Sequence, residues 1–219
     1  MITQRALFAE FLGTLLLLAV VVGSGVMGER LSAGNTAIAL IANSLATGCG
    51  LYVLITLLGP ISGAHFNPAV SAVMCARGAL PWRALPAYTA AQLAGGIAGV
   101  WLTHAMFALP ILQTSTHIRS GGAQWLAEGV ATFGLVFTIL GGLRHAAAQV
   151  PVLVAAYITA AYWFTASTSF ANPAVTVARA LTDTFAGIHP SGIAGFIAAQ
   201  LVGAALAALL ARALFDRRD

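Results

Sequence analysis

Two Asn-Pro-Ala triplets, Asn67-Pro68-Ala69 and Asn172-Pro173-Ala174, stand out in a chain otherwise sparing with polar groups. Asn is a favoured helix N-cap, and proline at the first helical position loses nothing by its missing N–H. Each triplet therefore predicts a helix start. The first helix runs toward Arg77-Gly78, the second toward Arg179 and Asp183. If the cap bonds hold the Asn side-chain oxygens, the NH₂ groups are left to donate to a passing solute. Two carboxylates, Glu10 and Glu128, lie inside long apolar stretches, where an ionisable group is costly and marks a functional candidate. Such groups can serve as proton relays in a coupled carrier. His65 adjoins the first triplet, whereas His104, His117, His145 and His189 have no metal-ligand spacing. Cys49 and Cys75 sit in apolar stretches and form neither a CxxC site nor a disulfide framework. No Ser/His/Asp set or carboxylate pair points to bond-breaking chemistry, and no cofactor or metal is implied. The chemistry on offer is the passage of a solute, not its conversion.

The elements that position these groups must be membrane helices. Of 219 residues, 59% are hydrophobic and 7% charged, against about 25% charged in a soluble domain. The mean hydropathy is +0.91. So little charge cannot coat a globule, and it excludes a disordered chain and a secreted disulfide scaffold. The net charge of +4 comes from singly scattered arginines, with Arg217-Arg218 the one basic run, so nucleic acid is not a partner. The first apolar stretch, Ala6 to Met27, is longer than a signal-peptide core and carries Glu10, so it reads as a span.

A bilayer core about 30 Å thick needs about 20 apolar residues per helix. Spans are predicted at 6–27, 36–58, 84–107, 125–143, 150–168 and 192–214. Two apolar pieces too short to cross remain, Pro60–Gly78 and Ser169–Asp183. Both read as re-entrant segments, tolerated where protein or a water-filled path surrounds them. With the N-terminus inside, Arg5, Arg77, Arg83, Arg144, Arg212, Arg217 and Arg218 are cytoplasmic, against Arg30, Arg119 and Arg179 outside. That excess predicts a multi-pass inner (plasma) membrane protein with both termini cytoplasmic.

The chain is also duplicated. Ala9-Glu10 to Thr14 recurs as Ala127-Glu128 to Thr132, offset by 118, and Asn67-Pro68-Ala69-Val70 recurs as Asn172-Pro173-Ala174-Val175, offset by 105. Ala90-Ala91-Gln92-Leu93 recurs as Ala198-Ala199-Gln200-Leu201, offset by 108. Each half, 1–120 and 121–219, holds three spans, an odd number, so the second enters from the opposite side. That is a 3+3 inverted repeat within a single domain, in which paired short helices meet near the midplane. Opposed N-termini turn two positive dipole ends toward that point, which disfavours cations and suits neutral hydroxyl-bearing solutes. Gln92 and Gln200 read as interhelical or loop glue, and Gly95 and Gly99 as points of close backbone approach.

Ser62-Gly63-Ala64-His65-Phe66-Asn67-Pro68-Ala69-Val70 and Phe170-Ala171-Asn172-Pro173-Ala174 resemble the paired signatures of the major intrinsic proteins, the aquaporins and aquaglyceroporins. The resemblance covers essentially the whole chain. It implies an all-α integral membrane fold: a right-handed bundle of six transmembrane helices with two re-entrant half-helices, one pore per subunit and a homotetramer. It also implies that Glu10 and Glu128 support the re-entrant loops; His65, beside the first motif, is read with them as loop support facing the inner pore mouth. The second signature departs from the family at Val175, where most members carry a filter arginine. Carried over by spacing, the other filter positions are Thr47, Ala160 and Ser169, with Phe170 in place of Ser169 if the count slips by one. All four are small. The implied partners are small-molecule solutes and the lipid bilayer: a wide pore for glycerol, urea and, as in bacterial members lacking the arginine, trivalent arsenic acid and methylated arsenicals. A water-selective channel is the alternative, and a proton-coupled carrier using Glu10 and Glu128 a further one. Arg179, one turn beyond Val175 and about 6 Å further along the helix, either interacts with the helix dipole or Asp183, or electrifies the outer vestibule.

Overall fold

The computed structural model describes residues 3–215; Arg217 and Arg218, counted above on the cytoplasmic side, lie outside the described residues. The described residues form eight α-helices: α1 (Gln4–Leu31), α2 (Thr36–Ser62), α3 (Pro68–Ala76), α4 (Leu85–Met106), α5 (Gly122–His145), α6 (Val150–Phe164), α7 (Pro173–Arg179) and α8 (Ile193–Phe215). Caps fix several starts. The Thr3 hydroxyl accepts from Ala6 N at 3.1 Å, and Asn35 Oδ1 accepts from Ala37 N and Ile38 N. Five long helices, two of them with their leading 3₁₀ turns, are long and apolar enough to cross a membrane. The sixth, α4, has 22 residues, about 33 Å of helix, but is diluted by the buried polar side chains Gln92, Thr103 and His104. Six long helices thus accompany two short ones, α3 and α7, which pack mainly against α4 and α8.

The end of α2 differs from expectation. Pro60 does not open a re-entrant segment but lies inside α2, which continues to Ser62. A proline there forfeits one hydrogen bond to the carbonyl four residues back, and the helix stops only at Gly63. Gly63 takes φ +88°, the left-handed C-cap that suits glycine, and returns its N–H to Gly59 O at 2.9 Å. The half-helix itself begins at Pro68.

The halves are built alike. α1 packs on α4, and α5 packs on α8, both by close backbone approach. A Cβ on Gly95 would stand 2.2 Å from Phe11 O, and one on Gly203 would stand 2.2 Å from Gly129 O. Gly95 and Gly203 share the offset of 108 seen in the Ala-Ala-Gln-Leu pair. Gly99 makes the same approach to Leu15 O. Contacts this tight give van der Waals packing that a lipid-immersed bundle needs, since lipid tails are as apolar as the helix surfaces.

Candidate functional site

The two triplets meet. Asn67 Oδ1 accepts from Ala69 N at 2.9 Å and Val70 N at 3.4 Å; Asn172 Oδ1 accepts from Ala174 N at 2.9 Å and Val175 N at 3.3 Å. Both are extended N-caps with proline next, as the sequence predicted. Their amides cross over: Asn67 Nδ2 donates to Ala171 O and Asn172 Nδ2 donates to Phe66 O, each at 2.8 Å. This corrects the expectation of free NH₂ groups. Each amide has two hydrogens, and one of them is spent on the opposite loop.

The loops before each cap are bent into the left-handed region at non-glycine residues. Ala64 and Phe66 have φ of 48° and 49°; Ser169 and Ala171, each 105 residues later, have 53° and 48°. A left-handed residue with a side chain costs about 1–2 kcal/mol. The compensation is a buried carboxylate beneath each loop. Glu10 Oε1 accepts from His65 N (2.9 Å) and the Ser62 hydroxyl (2.6 Å), and its Oε2 accepts from Phe66 N and Gln92 Nε2, both at 2.7 Å. Glu128 accepts from Phe170 N and Ala171 N at 2.9 Å and from Gln200 Nε2 at 2.6 Å. Both are fully buried. Charge-assisted bonds of this kind contribute about 1.5–3 kcal/mol each, enough to hold the strained turns. Gln92 and Gln200 also reach the half-helices, through the hydroxyls of Ser71 and Thr176. The His65 ring contacts the Ser71 hydroxyl at 3.0 Å and tilts against Tyr88.

A cavity of about 510 Å³ runs past both triplets, from the ends of α2 and α5 (Pro60, Leu143) to Arg179. Asn67, Asn172 and His65 are on its wall, as are Thr47, Ser169 and Val175. Ala160 is not. It lies on the exposed face of α6, and its neighbours Ile158 and Tyr162 line the cavity instead. The ungapped count of 12 residues back from Asn172 lands on that face, whereas Tyr162 on the wall is ten residues back; α6 ends at Phe164 rather than near 168, so the link to Asn172 is longer than expected. Two residues turn a helix face by about 200°, so the count chose the opposite side. Tyr162 instead meets Thr47, hydroxyl to hydroxyl, at 3.2 Å. Both candidates for the remaining position, Ser169 and Phe170, are on the wall.

At the far end, Arg179 does not pair with Asp183. Its Nε donates to Ala186 O, and its guanidinium lies on the Phe170 ring, 3.4 Å from the centroid. Asp183 instead accepts from the backbone and hydroxyl of Thr116, at 2.8 and 2.9 Å. Arg119 sits over the same ring at 5.4 Å and gives its donors to the carbonyls of Gly187, Ser167 and Phe185. Burial pulls the Arg119 guanidinium below its usual pKa.

The family profile described as MIP, major intrinsic protein, matches residues 1–149. Aquaglyceroporin AqpS of Rhizobium meliloti is 58% identical over 98% of this chain and 91% of that protein. The chain belongs to the major intrinsic proteins. Glycerol uptake facilitator protein 3 of Lactiplantibacillus plantarum is a more distant relative, 32% identical over 93% of this chain and 94% of its own. The fold is shared with the X-ray structure of the aquaglyceroporin from Plasmodium falciparum, TM-score 0.74 at 20% identity, covering 94% of each chain. As a major intrinsic protein the chain is a multi-pass membrane channel for small solutes, not an enzyme.

One wall residue of this major intrinsic protein, Tyr162, is not marked by the sequence. Nothing in the sequence around Tyr162 sets it apart from the other aromatics near the end of α6. The sequence marks Arg179 but leaves open whether it meets the helix dipole or Asp183 or faces the vestibule. The duplication held the usable signal, because Arg179 stands 105 residues after Met74, which also lines the cavity.

Proposed function

We propose that this chain is a passive channel of broad selectivity for small, polar, mostly uncharged solutes: glycerol, urea, trivalent arsenic acid and methylated arsenicals, with water passing as well. It works as a homotetramer in the plasma membrane, with both termini cytoplasmic. Residues 1–120 and 121–219 act as inverted repeats, each supplying one half-helix to the pore. Thr47, Ser169 and Val175 form the filter, together with Tyr162 in place of Ala160, and no arginine stands at its Val175 position. Glu10, Glu128 and His65 support the loops.

The observation that carries this reading is the cavity wall at the second cap, where a valine follows Ala174 and the neighbouring positions are Thr47 and Ser169. Small residues leave width, and selectivity in a pore follows from diameter, lining hydrogen-bond groups and charge. The printed names of the relatives, an aquaglyceroporin and a glycerol uptake facilitator, lean the same way. A carrier relaying protons through Glu10 and Glu128 fits poorly, since both carboxylates are already occupied by backbone and side-chain donors. The Thr47–Tyr162 pair favours one second reading, a narrower, water-selective pore.

The test is Val175→Arg. A long cationic side chain added to a wall holding Thr47, Ser169 and Tyr162 should exclude glycerol-sized and arsenical solutes while sparing water. Solute permeability in proteoliposomes should fall at least about tenfold relative to water, a barrier increase of about 1.4 kcal/mol. An unchanged solute-to-water ratio in a folded, tetrameric variant would remove Val175 from the filter. Wild-type vesicles that pass water but neither glycerol nor arsenicals would favour the water-selective reading.

A further inference from the structure

Arg179 is the one charged side chain on the wall of the 510 Å³ cavity among the described residues. The internal duplication sharpens this. Val70 and Val175 are equivalent under the offset of 105, and so are Met74 and Arg179; all four line the cavity. The two half-helices therefore present the same side chain in their first turn and differ one turn later, where one end of the pore has a thioether and the other a guanidinium. The wall is electrically one-sided.

The guanidinium is placed, not merely tolerated. The residue is only 2% exposed, stacked on Phe170 and anchored through Nε to Ala186 O. Phe170 is itself braced edge-on by Phe196 at 5.2 Å. No carboxylate forms an ion pair with Arg179 among the described residues. Glu128 is committed to the loop, and Asp183 to Thr116 and to His117 at 3.8 Å. Arg119, sharing the ring, adds a second positive charge behind the wall and spends its donors on three carbonyls. On the same cavity wall, the Ser169 hydroxyl is buried without a hydrogen-bond partner. A buried hydroxyl with no partner is expensive unless something in the cavity serves it.

We propose that Arg179 is the specificity residue that sets the charge preference of this pore. It takes over, one turn further out, the task that Val175 cannot perform. It rejects cations entering from its end and, with Ser169, offers donors to the oxygen atoms of a neutral solute. This rests on the channel reading above and says which part of the wall sorts solutes by charge rather than by size. A fixed positive charge in a low-dielectric, narrow passage acts on a cation far more strongly than it would in water.

Urea and guanidinium separate charge from size, being planar and nearly equal in shape. Permeability to each would be measured in proteoliposomes for the wild type, Arg179→Met (which copies the equivalent residue of the other half), Arg179→Gln and Arg179→Lys. The wild type and R179K should pass urea and hold guanidinium back. R179M and R179Q should raise guanidinium permeability at least about tenfold while urea stays within about twofold. R179Q keeps a donor for Ala186 O, so it serves as the test if R179M fails to fold. Urea and guanidinium rising together would mean simple widening and would overturn the proposal, as would no rise in guanidinium with normal urea flux. Wild-type vesicles no more permeable to urea or glycerol than protein-free ones would overturn the broad-selectivity reading on which this rests, a different failure from either of these.

Discussion

Beneath the second loop, Glu128 divides its work unevenly. One oxygen takes Phe170 N; the other takes Ala171 N and the Gln200 amide. Glu128→Gln keeps one oxygen, which can still serve the Ala171 and Gln200 side, and leaves Phe170 N without an acceptor. That loss is about 1–3 kcal/mol, so most of the folded protein and most transport should survive. Glu128→Leu strands all three donors and should abolish folding or flux. Solute permeability normalised to folded protein separates the cases. A well-folded E128Q variant without transport would point to a titrating role for Glu128 and revive the carrier. Residue-scale chemistry of this kind was legible in the sequence where it depends on near neighbours. Asn67 and Asn172 announce their caps within three residues of themselves. The crossing of each amide to the other loop was not, because Ala171 O and Phe66 O lie more than a hundred residues away along the chain.

Among the elements, the α5–α8 contact turns on Gly203, whose added Cβ would meet Gly129 O at 2.2 Å, a rigid backbone atom. Gly203→Ala must push the helices apart. Helix propensity alone would reward the change by about 1 kcal/mol, so the sign of the result discriminates. Overpacking costs about 1–3 kcal/mol, and the unfolding temperature in detergent should drop. Gly95→Ala, meeting Phe11 O on α4–α1, should behave alike. A rise in unfolding temperature for both would mean that these crossings are looser than the geometry requires. Element starts and types were readable, since apolar length and cap residues are local signals. Element ends were not. α2 runs through Pro60, and α6 stops at Phe164. Nothing local to residues 150–168 reports the length of the link to Asn172, and that hidden length decided which face of α6 meets the pore. Ala160 fell on the wrong side for this reason, and Tyr162 went unseen.

For the whole molecule, the duplication makes two similar halves, and the segment joining them must be tied to one end of the pore. Asp183, just beyond α7, makes that tie. Its carboxylate accepts from the backbone and hydroxyl of Thr116, its own N–H donates to Gln113 Oε1, and His117 Nε2 lies 3.8 Å away. The Thr116 hydrogen bonds, with a smaller contribution from His117, hold the Asp183 carboxyl below the ordinary carboxylate range. A depressed native pKa means that the contribution is complete above the unfolded value of about 4 and is lost as the pH falls through the lower native value. The clasp should therefore be indifferent to pH near neutrality and open in acid. Amide exchange at Thr116, corrected for the intrinsic rate, should show constant protection from pH 7 down to about 4 and falling protection below it. Asp183→Asn keeps an acceptor but no charge, so its protection should be lower throughout and flat across the same range. Identical pH profiles for D183N and the wild type would mean that another contact holds the joining segment. Because Asp183 is exposed and Arg179 is not, the variant should leave guanidinium exclusion untouched, separating the tie that shapes the pore's end from the charge that sorts what enters it.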